Sequence, residues 1–382
     1  MKNILIAMLL FTGIMNAQVV NIPDANFKNR LIYLGIDTNA DGQIQVSEAL
    51  AATSVLNISS SSISDLTGFE AFTNVSVLKC PNNQLTAINL NNLPNLKSID
   101  VGFNTSLSAI NLTNVTLDTL KVYSNNMPSL NLSNLTSLKY LDCSYNHLTS
   151  LNLNSITNLK TLNCTSNWLT SLTVATLTNL EELQCGSNQL TSIGVSTLTN
   201  LKKLVCSNAT LTTIDVSNLV NLEYLDWSNN QNNSFIFTNV PNLKYLNCEG
   251  NTLTSLNAST LPSLQYLNCS GNHLTTINVT GLINLQNLLL PLNQITSINV
   301  VGLTGLQNLN VSQNLLTTLT VSNLPNLNYL YASSNALTSL NMSGINLTLL
   351  YCDYNQLSSS DVSGMTNLLN FYCNNNNKPN KE

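Results

Sequence analysis

Leucine and other apolar residues recur along most of this chain with a fixed period of 21. Each unit reads L-x-x-L-x-C-x-x-N-x-L-T-x-L-x-L-x-x-L-x-N, as in Leu138, Leu141, Cys143, Asn146, Leu148, Leu151, Leu153 and Ile156. The register runs from Val75 through Leu96, Leu117 and onward to Leu327, loses one residue to reach Leu347, and resumes at Leu368, giving fifteen units. A period near 20 predicts a stacked solenoid, because a single unit cannot bury its own apolar face. Positions 3 to 7 alternate inward and outward, which is strand behaviour, so stacked units build a parallel sheet on the concave side. The other half, such as Leu148-Thr149-Ser150-Leu151, is rich in Thr and Ser and poor in helix formers. It predicts extended or 3-10 segments on the convex side.

The invariant slots carry their own chemistry. All nine cysteines sit at position 6, where Val101, Val122, Trp227, Leu290, Val311 and Ala332 stand in other units. Exchange with apolar residues marks the thiols as reduced core filler. Side-by-side Cβ vectors in a parallel ladder suit a disulfide poorly, and the count is odd. Position 9 is Asn in nearly every unit, with Ala209 the exception. An inward Asn after a strand can satisfy backbone groups freed by the turn. The unit starting at Leu222 departs from the pattern: Trp227 takes the core slot, and Asn232 replaces the usual Leu. This predicts local repacking around the indole.

Outside the array the pattern changes twice. Residues 1 to 17 combine Lys2, an apolar Ile4 to Ile14 core and Met15-Asn16-Ala17, the features of a secretory signal. Residues 18 to 53 predict a helical cap, with Asp24 opening a helix through Leu34. The cap continues with Asp37-Thr38-Asn39-Ala40-Asp41-Gly42-Gln43-Ile44-Gln45-Val46-Ser47-Glu48, the spacing of a twelve-residue EF-hand loop. Asp37, Asn39 and Asp41 would give side-chain oxygens, Gln43 its carbonyl, and Glu48 two oxygens to one calcium ion. The alternative is a metal-free turn that caps the first repeat. The array spans 54 to 377, and 378 to 382 form a polar tail.

These repeats resemble the leucine-rich-repeat family. The 21-residue length with Cys at position 6 looks most like its internalin subgroup, of the internalin J type, and related secreted proteins of Bacteroidetes. The resemblance implies an α/β repeat fold: a solenoid with a curved parallel sheet on the concave side and a small helical EF-hand-like cap. It also implies a non-enzymatic secreted or cell-surface protein that binds partners on the concave face, often in adhesion. No sorting domain, wall anchor or closing cap follows Cys373, so Leu368 and Phe371 are expected to be exposed.

Charge narrows the function. Only 8% of residues are charged, with a net charge of −5. No basic stripe with interleaved aromatics offers itself to nucleic acid, and beyond the N-terminus no apolar run is long enough to span a membrane. Eleven of the twelve tyrosines, all eight array lysines and most array acids fall at strand positions facing outward or flanking them. Tyr140, Tyr224, Tyr245, Tyr266 and Tyr329 stand at position 3, and Tyr331, Tyr351 and Tyr372 at position 5. Lys202, Lys244, Glu182 and Asp226 lie among them. Rows of exposed Tyr offer large area at low entropic cost, as binding surfaces do; the competing explanation is that Tyr suits strands. The segment from Asn251 to Cys352 contains no Asp, Glu, Lys or Arg, and a neutral Tyr/Asn strip suits a glycan. Catalysis is not expected, because His147 and His273 are six units apart and the thiols belong to the core. The expectation is protein recognition or adhesion through the concave face, with glycan binding through the Tyr rows and a structural, self-associating role as alternatives.

Overall fold

The computed structural model describes residues 18–231 and 233–377, which form two compact units divided after Leu180. The expected signal at 1 to 17, the tail at 378 to 382 and Asn232 lie outside the described residues.

In the first unit, helix α1 (Ala25–Tyr33) is opened by Asp24, whose side chain accepts from the Phe27 N–H. Phe27 and Leu31, four residues apart on one face, are fully buried. Helix α2 (Val46–Ala51) carries a capping box between Gln45 and Glu48. The strand Ser54–Asn57 follows and pairs in parallel with Val75–Lys79. Ser98–Asp100, Thr119–Lys121, Tyr140–Asp142 and Thr161–Asn163 continue the parallel order. A second short parallel pair, Ala87–Asn89 with Ala109–Asn111, comes from the other half of its repeats.

The second unit repeats this construction with ten parallel strands, from Glu182–Gln184 to Asn370–Tyr372. Its other half carries three short parallel pairs: Thr213–Asp215 with Ser234–Ile236, Ser255–Asn257 with Thr276–Asn278, and Thr318–Thr320 with Ser339–Asn341. No α-helix occurs between Ser54 and Asn377 among the described residues. The array is therefore a β-solenoid, and the expected α/β label holds only for the cap. Each half-unit is about ten residues, rich in Thr, Ser and Asn, which compete with helical hydrogen bonding and favour turns and strands.

In each unit the middle residue of nearly every main-sheet strand is a fully buried Leu or Ile, flanked by half-exposed residues. Eight cysteines are buried, Cys373 is half-buried, and all nine are free thiols. Burial pushes the Cys80 and Cys185 thiols up to about 12, so they stay protonated at neutral pH. Trp227 packs against Phe235 with ring centroids 3.7 Å apart, the local repacking that the sequence predicts.

The Asn at position 9 binds consecutive turns together. Asn146 Nδ2 donates to the Cys143 carbonyl at 3.1 Å and to the Val122 carbonyl of the previous turn at 2.8 Å, while its Oδ1 accepts from the Met127 N–H at 3.0 Å. Asn272 repeats the scheme in the second unit with Cys269, Cys248 and Leu253. Each such amide satisfies three backbone groups that the turn would otherwise bury unpaired.

Position 8 has a left-handed backbone in all fifteen units, from Asn82 to Asn375. Asn, Ser and Gly fill most of these places, as that conformation favours. Phe103 (φ 54°), Tyr145 (52°), Leu292 (59°) and Tyr354 (53°) do not follow the rule. A bulky residue there carries a backbone penalty on the order of 1 kcal/mol.

Candidate functional site

Strand register brings the predicted tyrosines into two rows, both in the second unit. Tyr224, Tyr245 and Tyr266 are direct neighbours on three adjacent strands. Their rings stack with centroids 4.1 and 4.5 Å apart and planes within 3° and 5° of parallel. Tyr331, Tyr351 and Tyr372 form the second row, stacked at 5.4 and 4.5 Å. Tyr329 lies outside both rows, between Asn308 and Leu349, and is 41% exposed. Tyr140 lies in the first unit with the Lys121 ammonium 5.3 Å from its ring centre.

Burial between its neighbours, then the bond to Tyr224, pushes the Tyr245 phenol far above its ordinary value. Burial also raises Tyr266, with the Glu249 carboxylate adding to it. These hydroxyls stay protonated at neutral pH and offer both a donor and an acceptor.

The charged residues around the first row are arranged in pairs. Lys202 Nζ meets Glu181 Oε2 and Lys244 Nζ meets Glu223 Oε2, each at 2.8 Å and one repeat apart. Glu181 raises the Lys202 pKa. Exposed pairs of this kind add little to stability, so they fix side-chain placement more than the fold. Glu182 sits in register with Lys203, whose ammonium lies 5.6 Å from the Tyr224 ring centre. Lys203 belongs with this row on that ground, beside the expected Lys202. Asp226 Oδ1 accepts from Ser228 N–H at 3.0 Å and Oγ at 2.7 Å, which orients its other oxygen.

The cap loop gathers its oxygens around its own backbone. Asp37 accepts from Asp41 and Gly42 N–H, Asn39 from Asp41 N–H, and Asp41 from Gln43 N–H. Gly42 supplies the left-handed turn at φ +77°. The Gln43 side chain accepts from Lys28 at 3.1 Å. Glu48, which would close a calcium site, is buried, with Oε1 on Thr38 N–H and Oγ1 and Oε2 on Gln45 N–H. Burial works to raise the Glu48 carboxyl, but these hydrogen bonds outweigh it and hold it below its ordinary value. Asp24 is lowered in the same way: burial opposes, and bonds from Phe27, Ser64 and Asp65 win. Among the described residues no three His, Cys, Asp or Glu side chains gather as a metal cluster. Asp37, Asn39 and Asp41 thus turn oxygens onto the loop's own backbone, and Glu48 is turned to cap α2.

Against known proteins, this repeat geometry has clear matches. Models of the leucine-rich repeat match residues 241–282, as two copies, and 137–159. The functional domain of InlJ from Listeria monocytogenes, which includes a cysteine ladder, matches with a TM-score of 0.79 and 29% identity. That match covers 89% of this chain and 76% of InlJ's. This chain is a leucine-rich-repeat protein that resembles the internalins. YopM from Yersinia enterocolitica matches at 26% identity and a TM-score of 0.66, over 80% of this chain and 70% of its own. A plant receptor-kinase ectodomain from Arabidopsis thaliana, solved in complex with Casparian strip integrity factor 2, shares the fold at 19% identity and a TM-score of 0.61 over 85% of this chain and 50% of its own. Residues 46–146 match the leucine-rich-repeat domain of the endo-beta-N-acetylglucosaminidase EndoS, the repeat domain of an enzyme. Among curated protein sequences none matches. Among the described residues no helix is long and apolar enough to cross a membrane.

Proposed function

We propose that this leucine-rich-repeat chain is a non-enzymatic recognition protein that binds another protein through the exposed face of its second unit's main sheet. The observation that carries the reading is the Tyr224-Tyr245-Tyr266 stack, flanked by Lys203 and by the Lys202–Glu181 and Lys244–Glu223 pairs. Half-buried aromatic rings pre-ordered by stacking lose little entropy on docking, and paired charges around them set register and exclude wrong partners. Lys202, Lys244, Glu182 and Asp226 form the rim, with Tyr329, Tyr331, Tyr351 and Tyr372 extending the surface. Tyr140 is a separate contact point on the first unit. The InlJ likeness supports recognition over catalysis, and the 1–17 segment supports a secreted or cell-surface location. A binding screen against a surface-protein array tests this with the full chain and a Tyr224→Ser, Tyr245→Ser, Tyr266→Ser variant of equal fold. Protein hits lost in the variant support the reading, and hits that persist unchanged refute it.

The cap loop is proposed to hold one calcium ion through Asp37, Asn39, Asp41, Gln43 and Glu48, with Glu48 turning from its capping role. Titration calorimetry should then show binding that Asp41→Ala removes; no heat at millimolar calcium would leave the loop a metal-free cap.

A further inference from the structure

We propose that the strand-end edge of the first unit is a platform for a neutral polysaccharide, built by Phe103, Tyr123, Tyr145, His147 and Trp168. This surface is separate from the tyrosine stack of the second unit, and its failure would leave the protein-binding reading untouched.

Two of these residues occupy a backbone conformation that disfavours them. Phe103 and Tyr145 stand at the left-handed position 8, where Asn, Ser or Gly is the rule, yet their side chains are 53% and 60% exposed. Core packing therefore does not repay the strain. Strain without a packing reward points to a role at the surface. The neighbouring residues are fitted to the same end. Gly102 leaves space that a Cβ would fill, 2.4 Å from the Tyr123 ring, so that ring lies across the backbone. It meets Phe103 edge-to-face at 5.2 Å. Trp168 is 51% exposed with the His147 ring 4.5 Å away, whereas Trp227 is fully buried in the second unit. Position 10 is variable, with Gln its commonest residue (Gln84, Gln189, Gln231, Gln294 and Gln356), and Trp168 is the largest side chain placed there.

The backbone sets these rings on consecutive rungs. Phe103 N–H donates to Tyr123 O at 3.0 Å, Asn125 N–H to Tyr145 O at 3.1 Å, and Tyr145 N–H to Thr165 O at 2.9 Å. Neighbouring strands lie about 4.8 Å apart, close to the advance of one sugar along an extended chain. The segments 81–84, 102–105, 123–126, 144–147 and 165–168 contain no Asp, Glu, Lys or Arg. Flat rings cover the C–H faces of a pyranose, and Ser124, Asn126, Thr165 and Ser166 offer amides and hydroxyls for its oxygens. The carboxylates of Asp100 and Asp142, which after burial add to the rise of the Tyr123 phenol, would repel an acidic sugar at this edge and leave a neutral one favoured.

The test applies the full chain to a printed array of neutral oligosaccharides, followed by titration of the strongest one while recording Trp168 fluorescence. The ridge variant Phe103→Asn, Tyr145→Asn, Trp168→Gln replaces each residue with the one its position favours. Its melting temperature should equal or exceed that of the unmodified chain, because the strain at position 8 is relieved. Its array signal should fall about tenfold or more. Tyr145→Phe should keep binding, and salt should leave it unchanged. The proposal is overturned if no neutral oligosaccharide binds, if the ridge variant binds as well, or if the ridge captures only proteins whose binding survives deglycosylation.

Discussion

The two tyrosine rows of the second unit are made by the same strand geometry and sit in opposite surroundings. Tyr224, Tyr245 and Tyr266 follow one another at position 3, beside Lys203 and two one-repeat ion pairs, and all three are half-buried. Tyr331, Tyr351 and Tyr372 stand at position 5 on a largely neutral stretch, and Tyr372 is 42% exposed. A repeat fold supplies stacked rings at any outward strand position. The difference between a sticky strip and a specific site comes from what the flanking positions add: the first row has ion-paired charges of both signs on its rim, whereas the second has the carboxylate of Asp353. The proposed protein recognition is therefore placed on the first row.

The largest expected effect tests what the rows share. Leu246 and Leu350 form the buried floor beneath them, both fully excluded from solvent. Leu246→Ala and Leu350→Ala should each cost about 2–5 kcal/mol in urea unfolding. A large difference between the two would mean that the rows do not rest on equivalent cores.

Binding should then separate the rows. Tyr245→Ala, which removes the ring stacked on both sides, should cost about 2 kcal/mol or more in partner affinity, the size expected of a central anchor. Tyr351→Ala should cost under about 1 kcal/mol. The reverse order in calorimetry would move the site to the second row.

Salt should sharpen the contrast at smaller amplitude. Raising ionic strength toward 0.5 M, where the Debye length falls to about 4 Å, should weaken binding through the first row several-fold. Glu223→Gln with Lys244→Gln should abolish much of that dependence. Binding that is flat in salt would contradict a charged rim.

The smallest effect concerns alkaline pH. Tyr245, Tyr266 and Tyr351 are all raised, Tyr245 furthest, by burial first and then by neighbouring tyrosines at Tyr245 and Tyr351 and by Glu249 at Tyr266. Their contribution to stability is fully present below the unfolded phenol value of about 10 and is lost as pH rises through the folded values. Absorbance at high pH should show these phenols ionising late, and Tyr245→Phe should remove part of the delayed step. The cap behaves in the opposite sense: lowered Asp24 and Glu48 stabilise it above the ordinary carboxylate range, and that stability is lost as pH falls through their folded values.

Most of the fold was legible because its information is periodic. Leu141, Cys143 and Asn146 each recur twenty-one residues apart, and the structure places them as strand centre, core filler and turn satisfier. The tyrosine rows followed from the same register, and so could the Lys244–Glu223 pair, whose members are also twenty-one apart. Helix is confined to the cap, and the Thr- and Ser-rich half-units take short strands and turns, in line with the extended segments expected of them. The site at the strand ends was hidden for a different reason. Hydrophobic patterning reports burial and carries no backbone angle, so Phe103 and Tyr145 read as ordinary aromatic residues until position 8 proved left-handed in every unit. The clue in the letters was that Asn, Ser and Gly dominate that column. In the cap loop the spacing fits an EF-hand, and the hydrogen bonds of Glu48 to Thr38 and Gln45 are a detail that spacing does not carry.

The measurement that bears most directly on the central claim is binding of the full chain to a surface-protein array beside two variants. One lacks the tyrosine stack (Tyr224→Ser, Tyr245→Ser, Tyr266→Ser), and the other lacks the strand-end ridge (Phe103→Asn, Tyr145→Asn, Trp168→Gln). The account predicts protein hits that vanish with the stack and survive loss of the ridge. Hits that survive loss of the stack would contradict it.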